Sequence, residues 1–336
     1  MFNKIYIKIK KYIHENYKFL IGLCLMLIVF KIPVDCYVIT GGGTFSADDR
    51  IEVSNGYDSE GSFHLAYVSE LEGNLFTYLL SYIVPSFERE DLGDYQANSD
   101  ESAEDIAFRS SLMLKNANNH AIKVAYSAAN KELVEKSSKH YIIYTLDGSN
   151  TNLKVGDEII SVDDKKYTSL DELRTYIGTK SAGDVLNFKV KRDGKYYDRS
   201  ASIYEEDGML YAGIGIDTFR KYDISPNVEF KFKASESGPS GGLITTLEIY
   251  NQLTKEDITR GRKIVGTGTI EADGSVGEID GVKYKLNGAV RAKADIFLVP
   301  AGRNYEEAIE EKRKKNYNIE IISVKSFSEA LEKLDK

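Results

Sequence analysis

The 336-residue sequence holds only two cysteines and four histidines, and each scarcity narrows what the chain can do. Cys24 and Cys36 belong to no C-x-x-C pair, and both lie in or beside an apolar stretch. A disulfide framework and a Cys/His zinc site are therefore excluded. His14, His64, His120 and His140 are scattered without ligand spacing, so neither a metal nor a cofactor is expected, and no histidine occurs from Tyr141 to Lys336. No basic stripe interleaved with aromatics is present and the net charge is −8, which argues against nucleic acid as a partner. No G-x-x-x-x-G-K-[ST] occurs, so no ATP-driven step is expected. What remains is a chain with 42% hydrophobic and 29% charged residues, globular in composition and long enough for two or three domains.

The N-terminus carries a topological signal. Lys4, Lys8, Lys10, Lys11 and Lys18 against Glu15 make the first 18 residues net +4, leaving −12 for the remainder. An uninterrupted apolar run, Phe19 to Phe30, continues past Lys31 and Asp35 to Ile39. With Lys31 snorkelling, that length spans a bilayer. A cleaved signal peptide opens in the same way, but no A-x-A-like site follows. The reading taken is a basic cytoplasmic tail over 1–17, a transmembrane signal anchor over 18–39, and an extracellular body thereafter, oriented by the positive-inside rule.

Residues 40–129 read as a β/α segment: strands to about residue 95, a polar loop, then a helix with apolar residues at helical spacing. Residues 130–203 read as one small β-rich domain, with Ser169 as a helix N-cap, Gly178 at that helix's end, and a hairpin turned at Asp193-Gly194. Residues 209–336 alternate strand and helix, as an α/β or α+β domain does.

Gly238-Pro239-Ser240-Gly241-Gly242 matches G-x-S-x-G and precedes an amphipathic helix. Glycines let backbone N–H groups approach an oxyanion, and the helix aims its positive end at the same place. A plain glycine-rich turn is spelled the same way. The histidine distribution forbids an order of Ser, Asp/Glu, His. An order of His, Asp, Ser through His64 or His120 would need one domain to span 130–203, which short connections oppose. No lysine has a serine three residues before it. If Ser240 is a nucleophile, its base is expected to be a lysine within 209–336. Lys283 opens a helix after a strand-turn-strand, and Lys285, two positions on, is expected to face elsewhere. Spacing alone favours reading Lys283 as an ordinary solvated lysine.

Leu153-Lys154-Val155-Gly156-Asp157-Glu158-Ile159-Ile160, followed by a helix, resembles a PDZ domain of the bacterial protease-associated type, although a plain β-rich spacer would share its outline. Gly238-Pro239-Ser240-Gly241-Gly242, Gly266-Thr267-Gly268-Thr269-Ile270 and Asp280-Gly281-Val282-Lys283-Tyr284-Lys285-Leu286 resemble, in order and spacing, the proteolytic domain of the Lon (S16) peptidase family. The full order is similar to the membrane-anchored Lon-like PDZ peptidases of Gram-positive bacteria.

The resemblance implies an α+β multidomain chain with an N-terminal transmembrane helix, a PDZ-like domain and a C-terminal Lon-type α/β proteolytic domain. It implies an ATP-independent serine endopeptidase with Ser240 as nucleophile, Lys283 as base, Thr267 in support and Gly238 in a possible oxyanion hole. The substrate would be an accessible peptide or unstructured segment, and an oligomer is open. Two departures stand out: Gly241 where the family has Ala, and Asp280 where it has Gly, the latter placing a carboxylate beside the base. The competing class is a non-catalytic membrane-anchored PDZ scaffold.

Overall fold

The computed structural model describes residues 2–84 and 86–336, so Met1 of the basic tail lies outside the described residues. The chain forms two compact units, Met1–Gly41 with Val68–Asp94, and Gly42–Tyr67 with Tyr95–Lys336.

The first unit opens with helix α1 (Phe2–Val29), and its segment Ile5–Val29 is long and apolar enough to cross a membrane. The helix stops at Val29 and does not continue to Ile39, as the 18–39 anchor required; strand β1 (Pro33–Ser46) begins instead. Pro33 has no N–H to donate and disfavours helix at Ile32, and the β-branched Val34, Val38, Ile39 and Thr40 suit a strand. β1 pairs antiparallel with β3 (Glu88–Asp91), Cys36 opposite Asp91 and Ile39 opposite Glu88. Strand β2 (Ser62–Asn74) leads into the short helix α2 (Leu75–Leu80), which Asn74 and Thr77 close with a capping box.

In the second unit a parallel sheet positions the functional segments. Strand β9 (Lys263–Gly266) lies between β2, from Ser62 to Leu65, and β10 (Ile296–Pro300), and β11 (Glu320–Val324) lies beyond β10; all these pairings are parallel. Helices cover both faces, so the strands read as nearly continuous apolar runs and every residue of β10 is buried. Alternate side chains go to opposite faces. Phe63, Leu65 and Ile264 pack with Ile244 and Leu247 of helix α5 (Gly242–Leu253) and with Ala121 and Ala125 of helix α3 (Ala103–Ala128). Ala66, Val265 and Phe297 pack with Val282, Leu286 and Ala289 of helix α6 (Val282–Arg291), and with Ala308 of α7 (Arg303–Lys315).

The PDZ-like part is a five-stranded antiparallel sheet in the order β8-β4-β5-β6-β7, with helix α4 (Leu170–Ile177) N-capped by Ser169. The strands are β4 (Glu132–Thr145), β5 (Glu158–Val162), β6 (Val185–Arg192), β7 (Lys195–Ser202) and β8 (Ile214–Ser225). Asp157 is fully buried and receives Arg192 Nε and Nη2 at 2.7 Å each, and this bidentate pair pins the Val155-Gly156-Asp157 turn to β6.

Strand pairing crosses the interval between 130–203 and 209–336. β8 lies beyond it, yet pairs with β4 from Ile214 opposite Thr145 to Ser225 opposite Glu132. One end of this ribbon, Ile142 with Ile214 and Ile216, belongs to the PDZ-like core, and the other, Leu133 with Tyr222 and Ile224, packs on the parallel-sheet core. Alternation in β8 is read from its own residues, but its partners lie about seventy to ninety residues upstream, where local pattern carries no information.

Glu248 sits inside α5, almost wholly buried, its Oε1 accepting from Gln252 Nε2 at 2.5 Å. Gln252 in turn joins the Ile51 carbonyl and the Val53 N–H. Burial pushes the Glu248 carboxyl up to about 7, against the Gln252 hydrogen bond and helped by the charges of Asp48 and Asp257. The folded chain therefore holds a proton that the unfolded chain has lost above its ordinary value of 4.5. Stability falls as pH rises through that window, by about 3 kcal/mol in total, and the loss is constant above it. Glu248→Gln, which can keep the Gln252 contact, should raise the urea midpoint at pH 8 far more than at pH 5. An identical gain at both pH values would contradict the assignment.

Candidate active site

The segment before α5 is shaped by hydrogen bonds. Gly238 takes φ +89° and donates its N–H to the Ser110 carbonyl of α3 at 3.2 Å. Ser240 follows Pro239, half-buried, and Gly241 caps the helix without a side-chain hydrogen bond. The Ser240 carbonyl accepts from Thr267 Oγ1 at 3.1 Å and from the Gly268 N–H at 2.7 Å. Leu243 N–H returns a bond to the Gly268 carbonyl at 3.0 Å. Thr267, fully buried, directly follows β9. The serine loop is thus clamped to the C-terminal edge of the parallel sheet.

The same edge receives the start of α6. Asp295 N–H donates to the Lys263 carbonyl and Lys263 Nζ to the Ala292 carbonyl, which fixes the end of α6 at the start of β9. A ten-residue helix is about 15 Å long and a four-residue strand about 13 Å. The first turn of α6 therefore lies level with Thr267. α5 and α6 occupy opposite faces of the sheet, and both direct their N-termini to the edge where Ser240 is held. Helix N-termini carry unpaired N–H groups and a partial positive charge.

The two lysines of α6 lie in different surroundings. Lys283 is exposed, its ammonium 4.8 Å from the centre of the Tyr284 ring. Lys285 is 4% exposed. It lies three residues after Val282 and four before Ala289, on the stripe that packs against β9. The apolar spacing in the sequence already held this signal: Val282, Leu286 and Ala289 define the stripe, and Lys285 falls beside them.

The Gly238 N–H donates to the Ser110 carbonyl. Asp280 does not press its charge on the lysine face: its side chain is 93% exposed and its Oδ1 lies 3.3 Å from Arg303 Nη2. Arg303 joins Glu278 as well, and buried Asn304 binds both the N–H and the carbonyl of Ile279, so this turn is held outward against α7.

Three histidines take part in hydrogen bonds. His64 Nε2 shares a hydrogen bond with Ser62 Oγ at 3.0 Å, on the strand face opposite Leu65. His120 Nδ1 meets the Ile270 carbonyl at 3.0 Å, about 15 Å further along α3 than the level of Ser110. His140 pairs with Thr218 inside the PDZ-like sheet. Burial holds His64 and His140 below the ordinary imidazole value. Among the described residues no group of three or more His, Cys, Asp or Glu is placed to hold a metal ion.

The glycines after Ser240 have a steric reason. A Cβ at Gly241 would come within 2.5 Å of Leu65 Cδ2, and one at Gly242 within 2.7 Å of Ile270 Cγ2 and 2.9 Å of the Ile270 backbone N. Alanine, usual in the resembled family at the first of these positions, therefore does not fit without movement of Leu65.

Comparisons with known proteins find a PDZ domain and a partial likeness to Lon protease. The family described as PDZ domain matches residues 142–203. Lon protease of Rickettsia prowazekii (strain Madrid E) is 27% identical over 187 residues, covering 55% of this chain and 22% of that protein. Lon protease of Rickettsia typhi (strain ATCC VR-144 / Wilmington) gives the same identity and coverage. A protein called nucleotide-binding protein, from Trichodesmium erythraeum (strain IMS101), is 29% identical over 101 residues, covering 30% of this chain and 61% of that one. The chain thus spans about a fifth of the length of the Lon proteases it matches and under two thirds of the third relative. Among solved structures, the PDZ domain of the SdrC-like protein from Listeria monocytogenes is 23% identical, covers 23% of this chain and 85% of that one, and has a TM-score of 0.22.

Gly241→Ala should cost about 1–3 kcal/mol through overpacking against Leu65. Gly242→Ala should cost more, because a backbone atom cannot swing aside. A double-mutant cycle on urea midpoints should show Leu65→Ala offsetting part of the Gly241→Ala loss and none of the Gly242→Ala loss. Independent costs in the first pair would contradict the packing described.

Proposed function

We propose that this chain, a PDZ-domain protein with partial similarity to Lon protease, is a membrane-anchored serine endopeptidase with Ser240 as nucleophile and Lys285, in place of Lys283, as general base. The observation that carries this reading is a serine loop clamped at the sheet edge by Thr267 and Gly268, with a buried lysine in the first turn of α6. A lysine accepts a proton only when neutral, and burial disfavours the ammonium. Lys283 is exposed.

In the proposed reaction Ser240 Oγ attacks the scissile carbonyl carbon as the Lys285 amine takes its proton. The oxyanion faces the N–H groups of Ser240 and Gly241 at the positive end of α5. Collapse breaks the C–N bond, the Lys285 ammonium gives its proton to the leaving amine, and an acyl-enzyme ester remains. Water then attacks the ester with the same amine as base, releasing the acid and restoring the serine. Thr267 acts as a positioning residue through the Ser240 carbonyl.

The PDZ domain would bind an extended peptide by strand addition. The β4–β8 ribbon, rooted in both cores, would hold that peptide at a fixed distance from Ser240. The +4 N-terminus ahead of the apolar helix would place the body outside the cytoplasm. Such an enzyme needs no nucleotide and takes substrates that arrive already unstructured.

The test is hydrolysis of an unstructured fluorogenic peptide by the full chain in detergent. Ser240→Ala and Lys285→Met should each lower kcat/KM by about 10³-fold or more, with circular dichroism unchanged. Lys283→Met should stay close to wild type, and wild-type kcat/KM should rise with pH as the base becomes neutral. Loss in Lys283→Met with retention in Lys285→Met would reverse the assignment. Peptide binding without cleavage by the wild-type chain would instead favour the non-catalytic PDZ scaffold.

A further inference from the structure

The first unit bears an apolar, aromatic knuckle immediately beside the end of α1. The Phe76 ring lies 4.3 Å from Phe30, and Leu75 N–H donates to the Ile32 carbonyl at 2.9 Å, so α2 starts where the membrane-length helix stops. From there α2 and the turn after it present Leu79, Tyr82 and Ile83, which are 51%, 63% and 75% exposed. Tyr78 and Tyr82 share a hydroxyl–hydroxyl bond of 3.0 Å. The Arg89 guanidinium lies 3.8 Å over the Tyr82 ring and 5.2 Å over Tyr78.

We infer that this knuckle is a lipid-docking surface, seated at the boundary between headgroups and hydrocarbon of the bilayer that α1 crosses. The inference rests on the membrane-anchored reading. The occupant is set by continuity: the apolar surface of α1 runs through Phe30 and Phe76 directly into the knuckle. Its chemistry fits that depth. Leu79 and Ile83 offer aliphatic surface for the acyl chains, and tyrosines favour the membrane boundary, ring in the apolar layer and hydroxyl toward water. Arg89, stacked on those rings, brings a guanidinium suited to lipid phosphate. The basic residue at the helix end, Lys31, can snorkel to the same level. Such docking would restrain the first unit against the bilayer, where α1 alone would act as a flexible tether.

The chain contains no tryptophan, so single substitutions report without background. Full-length Ile83→Trp and Leu25→Trp proteins are reconstituted into phosphatidylcholine–phosphatidylglycerol vesicles containing lipids brominated either near the headgroup or near the chain end. Ile83→Trp should lose most of its emission to the shallow bromines and much less to the deep ones, whereas Leu25→Trp is quenched best by the deep ones. Adding Leu79→Asp and Tyr82→Asp to Ile83→Trp should abolish its quenching and leave that of Leu25→Trp intact. An unquenched Ile83→Trp beside a quenched Leu25→Trp would overturn the docking surface while sparing the anchor. If Leu25→Trp is unquenched, the anchor fails and this inference with it. A blue-shifted Ile83→Trp that ignores the bromines and follows protein density would assign the knuckle to a second copy and overturn the lipid assignment.

Discussion

The two hydrogen bonds received by the Ser240 carbonyl are the constraint on which the site depends. One comes from a fully buried threonine side chain and the other from the backbone of the next residue, both just beyond a strand at the centre of a parallel sheet. A loop of glycine and proline would otherwise sample many conformations, and ordering it costs entropy. The clamp moves that cost into the fold, where the sheet and its helices are already packed. It also explains the residue types: a glycine where Leu65 presses on the loop, a second where Ile270 does, and a threonine whose hydroxyl reaches across.

Parallel topology supplies the rest. Strands that run the same way return through helices whose N-termini gather at one edge, and open α/β sheets place ligands at that edge for this reason. Here α5 and α6 approach it from opposite faces, one preceded by the serine and the other bearing Lys285 in its first turn. The long β4–β8 ribbon ties the PDZ domain into the same unit. Substrate capture and the proposed chemistry would then be coupled by a stiff two-stranded element, not by a loose linker.

Much of this was legible in the chain. The glycine-rich serine loop, the helix it opens, the Ser169 N-cap and the Asp193-Gly194 hairpin are all spelled by local chemistry. Asp193 and Gly194 indeed take φ values of +47° and +78°, as a tight hairpin requires. The rest depends partly on local competition and partly on distant partners. The end of α1 was set by Pro33 and its β-branched neighbours, which compete with an apolar run that length alone extends to Ile39. The engagement of Gly238 depends on Ser110, and the outward hold of Asp280 on Arg303, neither of them near in sequence. The burial of Lys285 is legible from the apolar stripe of α6, against a lysine's default environment of solvent.

The most direct measurement is an experimental structure of the full chain after reaction with a small serine-directed sulfonyl fluoride. The account requires the adduct on Ser240 Oγ, the Lys285 amine within hydrogen-bonding reach of that oxygen, and a sulfonyl oxygen turned toward the N–H groups of Ser240 and Gly241. An unmodified Ser240, or an adduct with the Lys283 amine at Oγ and Lys285 directed away, would contradict it.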